Sequence, residues 1–191
     1  SYVAGNDHYP DLFVGRFSAQ TEAQVVTQVN RTLEYEQDPI SDTAWYRKAI
    51  GIASNEGPGD DNEMDYEHIR NIQDNKLIPY TYNWGYEFFA GNQGGNDDPG
   101  NPTAGQVAAC VNSGATIINY TGHGSTSAWS TSGFNSGNVN GLTNTGNWPF
   151  VISVACVNGN FVNAICFAEA WLRAEDNGDP TGAIATLMST I

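Results

Sequence analysis

Apolar runs of strand length alternate along this chain with segments of helical period, and that alternation constrains the fold more than any other feature. LFVGRF (12–17) reads as a short strand. SAQTEAQVVTQVNRTLEYE follows as a helix, with Thr21 and Gln24 spaced as a capping box and Val25, Val29 and Leu33 on one stripe. AIGIAS (49–54) is a strand, the acidic loop after it runs into a helix near 63–74, and LIPYTYN (77–83) reads as a third strand. A Gly/Asn/Asp/Pro loop at 91–102 precedes a helix at 104–112 and the strand ATIINY (115–120). Beyond a Ser/Thr/Asn/Gly-rich stretch (124–147) come FVISVAC (150–156), the most apolar strand, the helix CFAEAWLRAE (166–175) and a last strand GAIATLMS (182–189). Such alternation predicts an α/β fold, a mostly parallel sheet with helices on both faces. No internal repeat and no second domain interrupts it, so residues 1–191 are expected to form one domain.

Composition narrows the function classes. Lys and Arg number 7 against 21 Asp and Glu, a formal charge of -14, so nothing here would neutralise phosphates and no nucleic-acid partner is expected. Mean hydropathy is -0.39, and the apolar runs are far shorter than the ~20 residues of a spanning helix, so no membrane span is expected. The acidic residues concentrate in GPGDDNEMDYE and GNDDPGN. These loops are rich in oxygen donors, and structural Ca2+ is the expectation they raise, although neither has the spacing of an EF-hand loop. No cofactor is expected for chemistry. The three cysteines, Cys110, Cys156 and Cys166, leave at least one thiol unpaired.

In a parallel α/β sheet, ligands bind outside the carboxyl ends of the strands. ATIINY runs directly into Thr121-Gly122-His123-Gly124, and FVISV directly into Ala155-Cys156. His123 and Cys156 therefore leave the same edge of the sheet and meet if their strands are neighbours. Imidazole beside a thiol makes an activated nucleophile for a carbonyl carbon. The backbone N–H groups of Gly124 and Cys156 are the candidate oxyanion donors, and the flanking glycines are expected to keep the turn open to a substrate backbone. His8 and His68 read as polar turn residues, and Cys110 and Cys166 as buried packing. Zinc is disfavoured by the lack of C-x-x-C spacing or a histidine cluster.

GNDHYPDLFVGRFS, IASNEGPGDD, INYTGHGS, FVISVACVNGNF, CFAEAWLRA and PTGAIATLMSTI, in that order along nearly the whole chain, resemble the catalytic domain of the gingipains. Those are secreted cysteine endopeptidases of the caspase-like clan that cleave after Arg or Lys. The resemblance implies a three-layer α/β/α caspase-like fold and a secreted or bacterial cell-surface enzyme acting on protein or peptide substrates. It also implies Cys156 as nucleophile, His123 as base, and Glu56 as the acid that orients the imidazole. Thr121 and Val154 would line the S1 pocket. Asp65 would be the S1 aspartate of arginine-specific members, with Asp61 and Glu63 as alternatives in the same loop, so Arg is expected over Lys at P1. By the same resemblance a preceding subdomain and a C-terminal part are expected to be missing, and further segments of the precursor are expected partners. Two rival readings are a sortase-like transpeptidase of type IX secretion, using the same residue pair, and a non-catalytic calcium-binding surface module.

Overall fold

The computed structural model describes residues 14–162 and 165–191. In chain order its regular elements are α1 (Glu22–Gln37), β1 (Lys48–Ala53), α2 (Asp65–Ile72), β2 (Trp84–Phe89), α3 (Ala104–Asn112) and β3 (Ile117–Thr121). They continue with β4 (Gly124–Ser125), β5 (Ala128–Trp129), α4 (Ser136–Val139), β6 (Phe150–Val154), α5 (Phe167–Arg173), β7 (Glu175–Asp176), β8 (Asp179–Pro180) and β9 (Ala185–Met188). Five strands form one sheet in the order β2-β1-β3-β6-β9, and every pair in it is parallel. The remaining strands make two small antiparallel pairs, β4 with β5 and β7 with β8.

Side chains alternate across a strand, and here the two faces of the sheet meet different layers. Ile50, Ile52, Ile118, Tyr120 and Val151 enter the main core with Val107 and Val111 of α3 and Phe167 and Trp171 of α5. On the opposite face Ala53 and Phe89 pack with Ile69 and Tyr66 of α2. That second layer sits close because small residues line it. A Cβ on Gly51 would come 2.5 Å from Ile69 Cγ2, and one on Gly85 2.8 Å from Gln73 Oε1. Gln73 is buried between them and donates to the Tyr86 carbonyl at 3.1 Å.

The third strand lies elsewhere than its sequence suggests. LIPYTYN is not extended: Gln73–Leu77 is a π turn and Ile78–Tyr80 a 3-10 turn, and the strand is the next segment, WGYEFF. Pro79 offers no N–H to a ladder, and this strand needs glycine where Gly85 faces Gln73. Of the expected strand at 12–17, Leu12 and Phe13 lie outside the described residues, and Val14–Phe17 has no regular structure. At α1, Thr21 Oγ1 accepts the Gln24 N–H as expected, but the Gln24 side chain reaches back to the N–H of Gln20 rather than Thr21.

The apolar stripe of α1 turns largely outward, with Val25 41% and Leu33 46% exposed, while Gln28 and Arg31 are buried. Arg31 donates to the carbonyls of Leu172, Ala174 and Ala183 at 2.7–3.0 Å. Leu172 lies in the last turn of α5 and Ala174 is its C-cap, where carbonyls lack helical partners, so Arg31 caps that helix from another element. Burial lowers its guanidinium to about 10.

Candidate active site

The sheet order locates a crevice before any side chain is considered. From β1 the chain crosses to β2 on one side and returns to β3 on the other, so β1 and β3 flank the point where the winding reverses. Ligands of such sheets bind outside the carboxyl ends at that switch point. Ala53, Thr121 and Val154 are register partners in the last row of β1, β3 and β6. His123 and Cys156 each lie two residues beyond this row on adjacent parallel strands. The Gly122 N–H donates to the Val154 carbonyl at 3.2 Å, so pairing continues toward both residues.

His123 is held through its backbone. Its carbonyl accepts from Tyr120 Oη at 2.5 Å and from the Ser130 N–H at 2.9 Å. Tyr120 stacks on Trp129 with ring centroids 4.9 Å apart. The flanking glycines also serve close packing. Gly122 adopts φ +152, and a Cβ there would meet Tyr120 Oη at 3.0 Å. A Cβ on Gly124 would meet Ala155 Cβ and Asn158 Nδ2 at 2.9 Å each, so β4 approaches the Cys156 loop as only glycine permits.

Cys156 is exposed, whereas Cys110 and Cys166 are buried, and all three thiols are free. Burial pushes the Cys110 thiol up to about 12 and raises Cys166 as well. Val157, the next residue, has φ 52, an uncommon conformation for a β-branched side chain that turns the chain sharply just past Cys156. Asn158, fully buried, anchors this bend. Its Oδ1 accepts from Ser153 Oγ at 2.8 Å, Ser153 accepts from Trp129 Nε1 at 2.9 Å, and Asn158 Nδ2 donates to the carbonyls of Ser125 and Ala128. The histidine hairpin and the cysteine loop are thus joined by one buried polar chain. Sequence reasoning missed Tyr120 and Asn158, because one lies inside the strand run ATIINY and the other follows Cys156 with no motif of its own.

Glu56 leaves β1 and meets the histidine: His123 Nε2 lies 2.9 Å from Glu56 Oε2, with the side chains 68% and 59% exposed. An exposed pair of this kind adds little stability, so its geometry depends on the loops that present it. Asp65 is the first residue of α2, and Ser54 Oγ donates to its Oδ2. Thr121, Val154, Asp65, Asp61 and Glu63 share one cavity of about 520 Å³ with Asp60 and His68. Asp65 and its two alternatives, Asp61 and Glu63, thus line the same cavity as Thr121 and Val154. His68 is helical, against the turn reading, and its Nδ1 lies 2.7 Å from Asp61 and 3.2 Å from Glu63. His8 lies outside the described residues.

Metal donors converge once among the described residues, at Asp61, Glu63 and His68. An imidazole in that set suits calcium poorly, since calcium takes oxygen ligands. In the second acidic loop Asp97 is occupied by the chain itself, accepting from the N–H groups of Phe89 at 2.9 Å and Gln93 at 3.2 Å. Among the described residues, no helix is long and apolar enough to cross a membrane.

A parallel α/β sheet with a free thiol and an acid-paired imidazole leaving adjacent strands above an acidic cavity has the build of a cysteine-peptidase catalytic unit. The chain belongs to peptidase family C25, whose model matches residues 1–191. It is 43% identical over 192 residues to gingipain R2 of Porphyromonas gingivalis, covering 99% of this chain and 25% of that relative. The crystal structure of the Arg-specific cysteine proteinase gingipain R matches with TM-score 0.88 and 41% identity, over 99% of this chain and 42% of the other. The complex of the Porphyromonas gingivalis RgpB pro- and mature domains matches with TM-score 0.87 and 42% identity, over 98% of this chain and 43% of the other. The three-layer caspase-like fold follows from these matches. The chain spans about a quarter of the length of the curated relative.

Proposed function

We propose that this chain carries the catalytic centre of a secreted or cell-surface cysteine endopeptidase that cleaves after basic residues, Arg in preference to Lys. Cys156 Sγ, as thiolate, attacks the scissile carbonyl carbon, and the negative charge that develops on oxygen is received by the backbone N–H groups of Gly124 and Cys156. His123 takes the thiol proton and returns it to the departing amine. Water then attacks the thioester, the imidazole acting again as base, and the thiol is regenerated as the acid product leaves. Glu56 faces Nε2, so Nδ1 is the nitrogen left to exchange the proton, and the carboxylate steadies the imidazolium.

The observation that carries this reading is the 2.9 Å His123–Glu56 contact at the end of β3, with Cys156 exposed at the end of the adjoining β6. The acidic cavity beside it supports a cationic P1 side chain. Arg is favoured because its planar fork satisfies both oxygens of a carboxylate, whereas an ammonium offers a point charge. The relative solved as an Arg-specific proteinase supports the same preference. The pro-domain complex of a relative supports a further segment of the precursor as partner. Calcium is proposed for the acidic loops as a stabiliser alone.

Titration with a peptidyl-arginyl chloromethyl ketone tests the assignment. The expected result is one label per chain, on Cys156 alone, with hydrolysis of a peptide amide lost in proportion. Labelling at Cys110 or Cys166, or full activity after Cys156 is blocked, overturns it.

A further inference from the structure

Ser54 belongs to no part of the mechanism above, yet it touches three of its parts. It is the first residue past β1 and only 8% exposed. Its N–H donates to the Thr121 carbonyl at 3.0 Å, tying it to the end of β3 and to the cavity wall. Its hydroxyl donates to Asp65 Oδ2 and accepts the N–H of Glu56 at 3.2 Å. A second link closes the loop, because the Asp65 N–H donates to the Glu56 carbonyl at 2.9 Å. Glu56 and Asp65 are therefore joined twice, once through the backbone and once through a single hydroxyl.

We propose that Ser54 is a positioning residue that couples the cation-binding carboxylate of Asp65 to the histidine-orienting acid Glu56. The proposal rests on the roles given above to those two acids. A serine hydroxyl has one proton, and here that proton is directed at Asp65, which leaves its lone pairs for the Glu56 N–H. Hydrogen bonds in such a chain polarise one another, so a change at one end is felt at the other. A cation seated on Asp65 fixes the carboxylate, the carboxylate fixes the hydroxyl, and the hydroxyl fixes the loop from which Glu56 reaches His123. An uncharged P1 side chain gives Asp65 no such anchor. Recognition of the basic side chain and alignment of the base then share one hydrogen-bonded unit, so a well-chosen P1 residue raises turnover as well as binding.

The test combines two substitutions at one position with two double-mutant cycles. Peptides with Arg or its neutral isostere citrulline at P1 are assayed on wild type, Ser54→Ala and Ser54→Thr, each with a melting curve. Ser54→Ala is expected to lose roughly ten- to a hundredfold in kcat/KM on the Arg peptide, the worth of a hydrogen bond to a charged group. The citrulline peptide should lose much less, and Ser54→Thr, which keeps the hydroxyl, should retain the selectivity. Asp65→Asn and Glu56→Gln, singly and together, are then compared in the wild-type and Ser54→Ala backgrounds on the Arg peptide. With Ser54 present their effects should depart from additivity by about fivefold or more, and in the Ser54→Ala background, where only the backbone link remains, the departure should shrink severalfold. Equal losses on both peptides in Ser54→Ala, or the same coupling in both backgrounds, overturn the proposal. If Asp65→Asn itself treats the two peptides alike, the S1 reading of Asp65 fails and takes the coupling with it. A selective Asp65→Asn with additive cycles removes the coupling alone.

Discussion

Cys156 and His123 differ from their neighbours in exposure and in what holds them, and both differences bear on activity. Cys156→Ala should abolish peptide hydrolysis, whereas Cys110→Ala and Cys166→Ala, whose thiols are buried and raised by burial, should remain active. The check is kcat/KM together with circular dichroism for each variant. Because Cys156 is exposed, removing its sulfur leaves no cavity, and loss of activity without loss of fold is the expected pattern. His123→Ala should lose several orders of magnitude in kcat, since base and nucleophile act as a unit. Glu56→Gln should lose less, because in the proposed mechanism that acid exchanges no proton with substrate. A Glu56→Gln enzyme as active as wild type would leave that carboxylate an exposed loop acid without a catalytic role.

Elements are held in place by buried charge as much as by apolar stripes. Glu169 on α5 accepts from Ser18 Oγ, from the Cys166 N–H at 3.0 Å and from Arg173 at 2.7 Å, and so binds the segment before α1 to α5. Burial acts to raise its carboxyl, but the bonds from Ser18 and Cys166 and the charge of Arg173 outweigh that and hold it below the ordinary value. A carboxyl lowered in the folded state contributes stability above its unfolded value, and that contribution is lost as pH falls through the folded value. Glu169→Ala should therefore cost about 3 kcal/mol at neutral pH, the order expected when a buried pair loses one member. The acid limb of its melting temperature against pH should also be shallower than that of wild type. A variant melting with the wild-type acid profile would mean that Ser18 and Arg173 find other partners.

At the scale of the whole molecule, charge and cavity make two further predictions. The chain carries a net charge of -14, four of its acids (Asp60, Asp61, Glu63 and Asp65) line the cavity, and a cation bound only by the folded state raises its melting temperature. Calcium at millimolar concentration should raise the melting temperature and leave kcat unchanged after EDTA; a melting curve indifferent to both disposes of the calcium proposal. The P1 preference is read with fluorogenic peptides carrying Arg, Lys or a neutral residue. Wild type should favour Arg over Lys, and Asp65→Asn should lose the basic substrates selectively. Equal losses across the three would move the anionic role to Asp61 or Glu63, which line the same cavity.

Much of this architecture was legible in the sequence because it depends on local period. The runs at β1, β3, β6 and β9 are apolar enough to be strands in any context, and parallel sheets place the ends of such strands at one edge. That alone brought His123 and Cys156 to a common rim. The pairing of β3 with β6, which makes them neighbours, was decided by tertiary structure, since strand order depends on how crossovers pack. Tertiary structure also moved the third strand to Trp84–Phe89, where Gly85 admits Gln73, and turned much of the apolar stripe of α1 to solvent because Arg31 had three carbonyls to satisfy. Glu56 and Asp65 came from family resemblance, for a lone acid in an acidic loop carries no signal of its own. Ser54, Tyr120 and Asn158 left no trace in the sequence at all. Their partners lie on other elements, and a hydrogen bond between distant segments has no period to read.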